Sequence, residues 1–389
     1  MLSSLTFYSR LFAGIIAGYS AAFSLQATNI STEQVVDYDI VYVKQPRKGD
    51  FEHINWPEVF QPARVEPNSD LMLLHPDGTE ETLVDTEYGA VTDPFVSLDG
   101  QWVYYSYFHD VRTESLNRAR GYLPLKGSDI FRINLQTRVI EQLTFQEFTP
   151  NTGTGNWDIS NPVDPEKGYN YLGYGVLNTA PVEIADGKII FTSSRNNFTP
   201  TKNYSNPTFQ LYSMDIDGKN IEPIAPMTLG SALHPVPLVD GSILFSSYES
   251  QGLRDERLWG LWSIWPDGRN WAPVASAFAH ARAFHFATQT SDGSIVFEDY
   301  YNKNNFGFGT LYRIPKKSEG QTVGFGSLYK ALNPEIETAN VYGYFQMPFT
   351  PVGLSPVTPL SSSRDEAAQP GMGKYTHPSA APNNDLLVV

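Results

Sequence analysis

The chain contains no cysteine. That excludes disulfides, a thiolate nucleophile, cysteine-ligated zinc and iron–sulfur clusters. It also excludes covalent c-type haem on these residues, because attachment needs Cys-x-x-Cys-His. Positive charge is scarce: 27 Lys and Arg against 42 Asp and Glu give a formal net charge of −15. Such a surface repels nucleic-acid phosphates and anionic lipid, so neither is expected as a general partner. Beyond the N-terminus there is no apolar run long enough to span a bilayer. Glycine-rich nucleotide fingerprints and the Gly-x-Ser-x-Gly elbow are missing too.

The one apolar run, Leu11 to Phe23, follows a single basic residue, Arg10, and ends among small residues at Ser20-Ala21-Ala22 and Ala27. This is the pattern of a secretory signal peptide over residues 1–27. The competing reading is an uncleaved anchor, but Gly14, Gly18 and Ser20 interrupt the run and favour cleavage. The mature protein is therefore expected to be periplasmic or secreted, without membrane attachment.

What is abundant is aromatic and turn-forming. Aromatics make up 13% of the chain, which favours strands over helices. The 30 Gly and 28 Pro are spread along its length, as many turns require. Four segments repeat one motif: Pro94-Phe-Val-Ser-Leu-Asp-Gly-Gln-Trp-Val-Tyr-Tyr-Ser106, Pro181-Val-Glu-Ile-Ala-Asp-Gly-Lys-Ile-Ile-Phe-Thr-Ser-Ser194, Pro235-Val-Pro-Leu-Val-Asp-Gly-Ser-Ile-Leu-Phe-Ser-Ser247 and Phe286-Ala-Thr-Gln-Thr-Ser-Asp-Gly-Ser-Ile-Val-Phe-Glu298. Their glycines, Gly100, Gly187, Gly241 and Gly293, stand 87, 54 and 52 residues apart, so the first interval carries an insertion. Asp-Gly accommodates the positive φ angles of a tight hairpin. The strand that follows is apolar at consecutive positions, as a strand packed on both faces must be.

A second hairpin completes each unit, as in Leu211-Tyr-Ser-Met-Asp-Ile-Asp-Gly218 and Leu261-Trp-Ser-Ile-Trp-Pro-Asp-Gly268. The spacing predicts an all-β propeller of four-stranded blades. The units are a partial one at 37–86, then 90–145, 178–227, 233–276 and 284–330. The tail Thr376 to Val389 begins the motif again, with Asn383-Asn384 near the Asp-Gly place, and stops in mid-strand. Either it closes the ring onto the partial first blade, or the chain is a piece of a longer protein. The uncapped Leu-Leu-Val-Val end favours the second reading and a complete ring of about six blades. The propeller thus occupies 37–389, incomplete at its C-terminus, with insertions at 109–127, 145–177 and 316–372.

The insertions hold the candidate binding residues. The first carries Arg112, Arg118 and Arg120, suited to an anion or an acidic partner. The second carries Trp157, Tyr171 and Tyr174, since loop aromatics near a propeller mouth build binding surfaces. Its oxygen-rich string Asn156 to Glu166 lacks the spacing of a calcium loop, so no metal is expected there. The third is rich in proline and reads as an extended linker. Among the histidines, His75, His234 and His377 each precede proline, which suggests turn geometry; His53 and His109 are isolated loop candidates. Asp93, Asp110, Glu183, Glu249, Asp255 and Asp299 flank the expected inner strands, where a propeller glycosidase would need two or three carboxylates converging on the axis.

The Pro-x-x-x-x-Asp-Gly-x-hydrophobic-x-Phe-x-Ser core resembles the TolB-type periplasmic propeller repeat. Three phrases, Asp39-Ile-Val-Tyr-Val-Lys-Gln-Pro-Arg47, Asn178 to Arg195 and His234 to Ser247, resemble the propeller (middle) region of hydrazine synthase alpha-subunit-like proteins. That resemblance implies a periplasmic redox protein whose haem-bearing segments lie outside the propeller. This chain, lacking cysteine, has no haem-attachment site to inherit, so no cofactor is expected on it and no catalytic residue transfers. Hydrazine synthesis itself is not implied, because such propellers occur elsewhere. The favoured expectation is a scaffold or binding propeller, not catalytic on its own. Its partner would be another protein or further domains of the same polypeptide, a c-type cytochrome protein. A TolB-like adaptor and a propeller glycoside hydrolase are the alternatives.

Overall fold

The computed structural model describes residues 36–46, 65–117, 123–146, 175–195, 208–224, 230–248, 259–276, 283–300, 309–316, 355–359 and 375–389. They form a β-propeller of five antiparallel blades. Blade 1 has three strands, Ile40–Lys44, Asp70–Leu74 and Glu80–Val84. Blade 2 runs Ala90–Val96, Trp102–Phe108, Ser128–Asn134 and Ile140–Gln142. Blade 3 runs Asn178–Ile184, Lys188–Ser193, Gln210–Asp215 and Glu222–Pro223. Blade 4 runs Ser231–Pro237, Ile243–Tyr248, Trp259–Ile264 and Ala272–Ser276. Blade 5 runs Ala283–Gln289, Ile295–Tyr300, Thr310–Ile314 and Ser355–Pro356. Within each blade sequential strands pair as neighbours. A last pair, Ser379–Ala380 with Leu386–Leu387, lies against the inner strand of blade 5, where a sixth blade would begin.

The consecutive apolar positions are explained by two-sided packing. On the second strand of blade 2, Tyr104 packs toward blade 3 with Phe191, Tyr212 and Met214. Its neighbour Tyr105 packs the other way, with Leu71, Leu73 and Leu83 of blade 1. Ile189 and Ile190 divide in the same manner between the seams with blades 2 and 4. Successive side chains on a strand point to opposite faces, so a sheet wedged between two others must be apolar at every position. Blade 5 closes on blade 4 through Phe284, Phe297 and Tyr312 against Leu244 and Leu261.

The Asp-Gly turns hold, with one correction. Only the glycine takes the left-handed conformation, with φ of 72° at Gly100, 78° at Gly187, 89° at Gly241 and 83° at Gly293. The aspartate keeps a negative φ and acts as an acceptor: Asp99 Oδ1 takes the Gln101 N–H at 2.9 Å, and Asp292 Oδ1 takes the Ser294 N–H at 2.9 Å. The glycine N–H bonds back three residues, Gly100 to the Ser97 carbonyl at 2.9 Å. This is a type I turn followed by a left-handed glycine, the longer hairpin connection.

Blade 5 also differs from the expected unit at 284–330. Its fourth strand, Ser355–Pro356, pairs with Tyr312 and Arg313, so a segment read as linker supplies the blade's outer edge. The insertion at 109–127 contains a 3₁₀ turn at Thr113–Ser115 and a small ladder of Leu116–Asn117 with Leu123–Pro124. Of the insertion at 145–177, the ends Gln146, Val176 and Leu177 are buried at the seam between blades 2 and 3. Among the described residues, no helix is long and apolar enough to cross a membrane.

Candidate functional site at the propeller axis

The first strand of each of blades 2 to 5, and the tail just before Ser379–Ala380, departs from β geometry at one residue. Asp93, Ala180, His234, Phe286 and His377 have φ of 52°, 52°, 51°, 48° and 50°. Four are followed by proline, Phe286 by Ala287. In blades 2 to 5 the ladder register shifts at the same place, between Thr92 and Phe95, Thr179 and Val182, Leu233 and Val236, and His285 and Thr288. A left-handed residue in a bulge re-aims its side chain out of the alternation. None of the five is glycine or β-branched, the latter being the residues least able to adopt this φ. The repeated bulge therefore presents side chains from four successive blades and the tail as one set.

They meet. The Phe286 ring lies between two imidazoles, with centroids 4.3 Å from His234 and 3.7 Å from His377. Burial pushes His234 down to about 3. Burial also lowers His377, to about 4; the neighbouring His234 lowers it further and the Asp93 carboxylate acts in the opposite direction. Both rings are neutral at pH 7. The sequence grouped His75, His234 and His377 as His-Pro turns, but only His75 sits at one, where its carbonyl accepts the Gly78 N–H at 2.9 Å.

Beside the stack lies a small recess. Thr92 and Asp93 of blade 2, Thr179, Ala180 and Thr192 of blade 3, and Leu233 and His234 of blade 4 line it. Asp93 Oδ2 accepts from the Thr92 hydroxyl at 2.7 Å and the Ser106 hydroxyl at 3.2 Å. The Ser106 oxygen accepts the Ala180 N–H at 3.0 Å, so this carboxylate is tied across the seam to the next blade. The Thr179 and Thr192 hydroxyls share a bond of 2.8 Å.

Glu298, on the second strand of blade 5, is fully buried. Thr192 of blade 3 and Ser246 of blade 4 occupy the same place, five residues past the turn glycine. Glu298 Oε2 accepts from the Thr376 hydroxyl at 2.7 Å, and Thr376 Oγ1 lies 2.8 Å from His377 Nδ1. When Thr376 gives its single proton to Glu298, Nδ1 must supply the proton of the second bond, which leaves Nε2 with the imidazole lone pair. Burial holds the Glu298 carboxyl well above its usual range, with the Thr376 bond opposing. Among the described residues its Oε1 has no hydrogen-bond partner, which suits a protonated acid.

The sequence-derived candidates are placed elsewhere. Arg112 donates to Asp110 through Nε at 2.9 Å and Nη2 at 2.7 Å and lies over the Tyr88 ring at 4.1 Å. Its guanidinium holds Asp110 down to about 2. Arg118, Arg120, Trp157, Tyr171 and Tyr174 lie outside the described residues, as do His53, Glu249, Asp255 and the string 156–166. His109 bonds through Nε2 to the buried Asp129 at 2.8 Å. Asp129 in turn accepts from Thr144, the Gln146 N–H and Asn178, an arrangement that staples blade 2 to blade 3. Of the flanking carboxylates, Glu183 accepts the Leu98 N–H at 3.1 Å, Asp299 is buried, and Asp93 lines the recess. Glu298 escaped notice because one substitution in a buried strand carries no periodic signal. Among the described residues, no group of three or more His, Asp or Glu could hold a metal ion.

No protein-family model matches the chain, and no curated protein matches it. Solved structures do. Hydrazine synthase from Kuenenia stuttgartiensis matches with a TM-score of 0.54 at 16% identity, over 90% of this chain and 41% of that one. TolB from Acinetobacter baumannii matches with a TM-score of 0.43 at 15% identity, over 71% of this chain and 50% of that one. A TolB protein from Agrobacterium tumefaciens matches at 0.35 and 18% identity, over 54% and 57%. The chain thus spans between 41% and 57% of the length of these structures. It shares its propeller fold with hydrazine synthase, at an identity that carries the fold alone.

Proposed function

We propose that this chain is the binding and scaffolding propeller of an exported protein, one part of a longer polypeptide whose c-type haem is attached elsewhere. The observation that carries the non-catalytic reading is the use made of the buried polar groups. Asp129 and Glu298 are committed to joining blade to blade and tail to blade, and Glu298 is sealed from solvent. A glycosidase needs a pair of carboxylates facing the substrate; among the described residues lining the recess, Asp93 is the one carboxylate. The signal pattern over 1–27 supports export, and the missing cysteine puts any covalent haem outside these residues.

The test is to isolate the native gene product from its own cells. The expected result is a processed N-terminus in the envelope or secreted fraction, with a haem-staining band that contains the propeller peptides. A haem-free product retained in the cytoplasm with residues 1–27 intact would overturn the proposal.

A further inference from the structure

We infer that the recess between Asp93 and His234 is a binding site for a protonated primary amine. The inference deepens the reading of the axis as a binding surface and does not involve the haem.

Charge decides the class of ligand first. Among the described residues Asp93 is the one carboxylate lining the recess and no Lys or Arg lines it, so an anion meets only repulsion from them. Both hydrogen bonds made by Asp93 fall on Oδ2; Oδ1 takes none among the described residues. A charge-assisted bond from an N–H donor to that oxygen is of the stronger kind. Asp93 is also held in place: Thr92 and Ser106 grip Oδ2, and Ser106 is anchored to the Ala180 N–H. The carboxylate is therefore oriented before any ligand arrives, which limits the ordering cost of binding.

Donor count narrows the class. A primary ammonium has three N–H groups. One meets Asp93 Oδ1. The Thr179 and Thr192 oxygens, joined by one shared proton, retain lone pairs for the others. Leu233 and the Ala180 methyl supply an apolar wall for the carbon to which the nitrogen is bound. The recess has room for about one water-sized group, which fits an ammonium nitrogen and excludes a bulky quaternary one. A divalent metal is a poor fit, because it would have one carboxylate and hydroxyls in place of the several charged oxygens it wants. The amine could be free or the side chain of a lysine on a partner; the chemistry at Asp93 is the same.

The experiment titrates the full chain, in its exported form, with methylammonium chloride by calorimetry and by chemical-shift changes of the threonine methyls. Tetramethylammonium chloride keeps ionic strength constant. Saturable binding is expected, with affinity lowered about tenfold or more by Asp93→Asn, which keeps an acceptor for Thr92 and tolerates the left-handed φ. Thr192→Val should weaken binding about threefold. Competition by a lysine tripeptide, but not by its Nε-acetylated form, would identify a lysine as the source; no competition would identify a free amine. Three results would overturn the inference: no methylammonium binding above the tetramethylammonium background, undiminished binding by a folded Asp93→Asn protein, or displacement by equimolar K⁺, which would mark an alkali-cation site. None of these bears on the haem stain, so the two proposals fail separately.

Discussion

Thr376 and Glu298 join the C-terminal strand pair to blade 5 through a hydrogen bond of 2.7 Å between two buried side chains. Burial holds the carboxyl protonated at pH values where an exposed glutamate has already begun to ionise. Above the ordinary glutamate value of 4.5, the unfolded chain releases this proton while the folded one keeps it. Stability therefore falls as pH rises, until the folded pKa is passed. Glu298→Gln supplies an uncharged side chain of the same shape and removes that dependence. Thermal unfolding followed from pH 4.5 to 9 should show the variant gaining on the parent as pH rises. Glu298→Ala should lose stability at every pH, because truncating a fully buried side chain leaves a cavity and removes one partner of the Thr376 hydroxyl.

The two axial imidazoles make the opposite prediction. Their folded pKa values, about 3 and about 4, lie below the ordinary histidine value of 6.5. Between those limits the unfolded chain binds protons that the folded chain refuses, so stability is lost as pH falls below 6.5. Each ring should cost on the order of 1–2 kcal/mol at pH 5. In His234→Asn, whose side chain tolerates the left-handed φ, the slope of melting temperature against pH between 4 and 6.5 should fall by about half. An unchanged slope would mean that His234 is not the group refusing the proton.

Two glycines with positive φ should respond very differently to alanine. At Gly187 (φ 78°) a Cβ would meet nothing, so the cost is the conformation alone, about 1 kcal/mol. At Gly127 (φ 58°) a Cβ would run into the Val176 carbonyl oxygen and the Gly175 backbone, where the chain returns to begin blade 3. Backbone atoms tied into the Ser128–Val176 hydrogen bond of 3.1 Å have little freedom to move. Gly127→Ala should therefore cost about 3 kcal/mol or more by chemical denaturation, several times the loss at Gly187.

The blades were legible in the sequence because one requirement recurs. Each hairpin needs a left-handed residue, and glycine supplies it at Gly100, Gly187, Gly241 and Gly293. In the tail, Asn383 and Asn384 take φ of 63° and 64° in its stead, as their position in the motif implied. The axial site was harder to read because the same dipeptide serves two purposes. His75-Pro76 opens a hairpin turn, whereas His234-Pro235 and His377-Pro378 mark the inner-strand bulge. A fixed offset distinguishes them: Asp93, Ala180, His234, Phe286 and His377 each stand seven residues before the left-handed turn residue. Chemistry at that offset varies from blade to blade, so a search for similar residues passes over it. Blade 5's outer strand was hidden for a different reason, since Ser355–Pro356 pairs over only two residues and joins its blade after a long excursion.

If the offset marks backbone geometry and not side-chain chemistry, Ala180 is the place to test it. Its methyl is small, and its side chain makes no polar contact to lose. With φ at 52°, alanine bears roughly 1 kcal/mol of left-handed strain that glycine does not. Glycine in turn loses about 0.4–1 kcal/mol through the freedom of the unfolded chain. The two nearly cancel, so Ala180→Gly should leave stability within about 0.5 kcal/mol of the parent. At an ordinary strand position the same change costs about 1 kcal/mol. Ala180→Val places a β-branched residue where φ is least tolerant of one and should cost about 2–3 kcal/mol, although valine is the better strand former elsewhere. Equilibrium unfolding of the three proteins decides the matter: valine more stable than alanine, or glycine clearly less stable, would show that Ala180 is an ordinary strand residue and that the five axial side chains do not share a common backbone device.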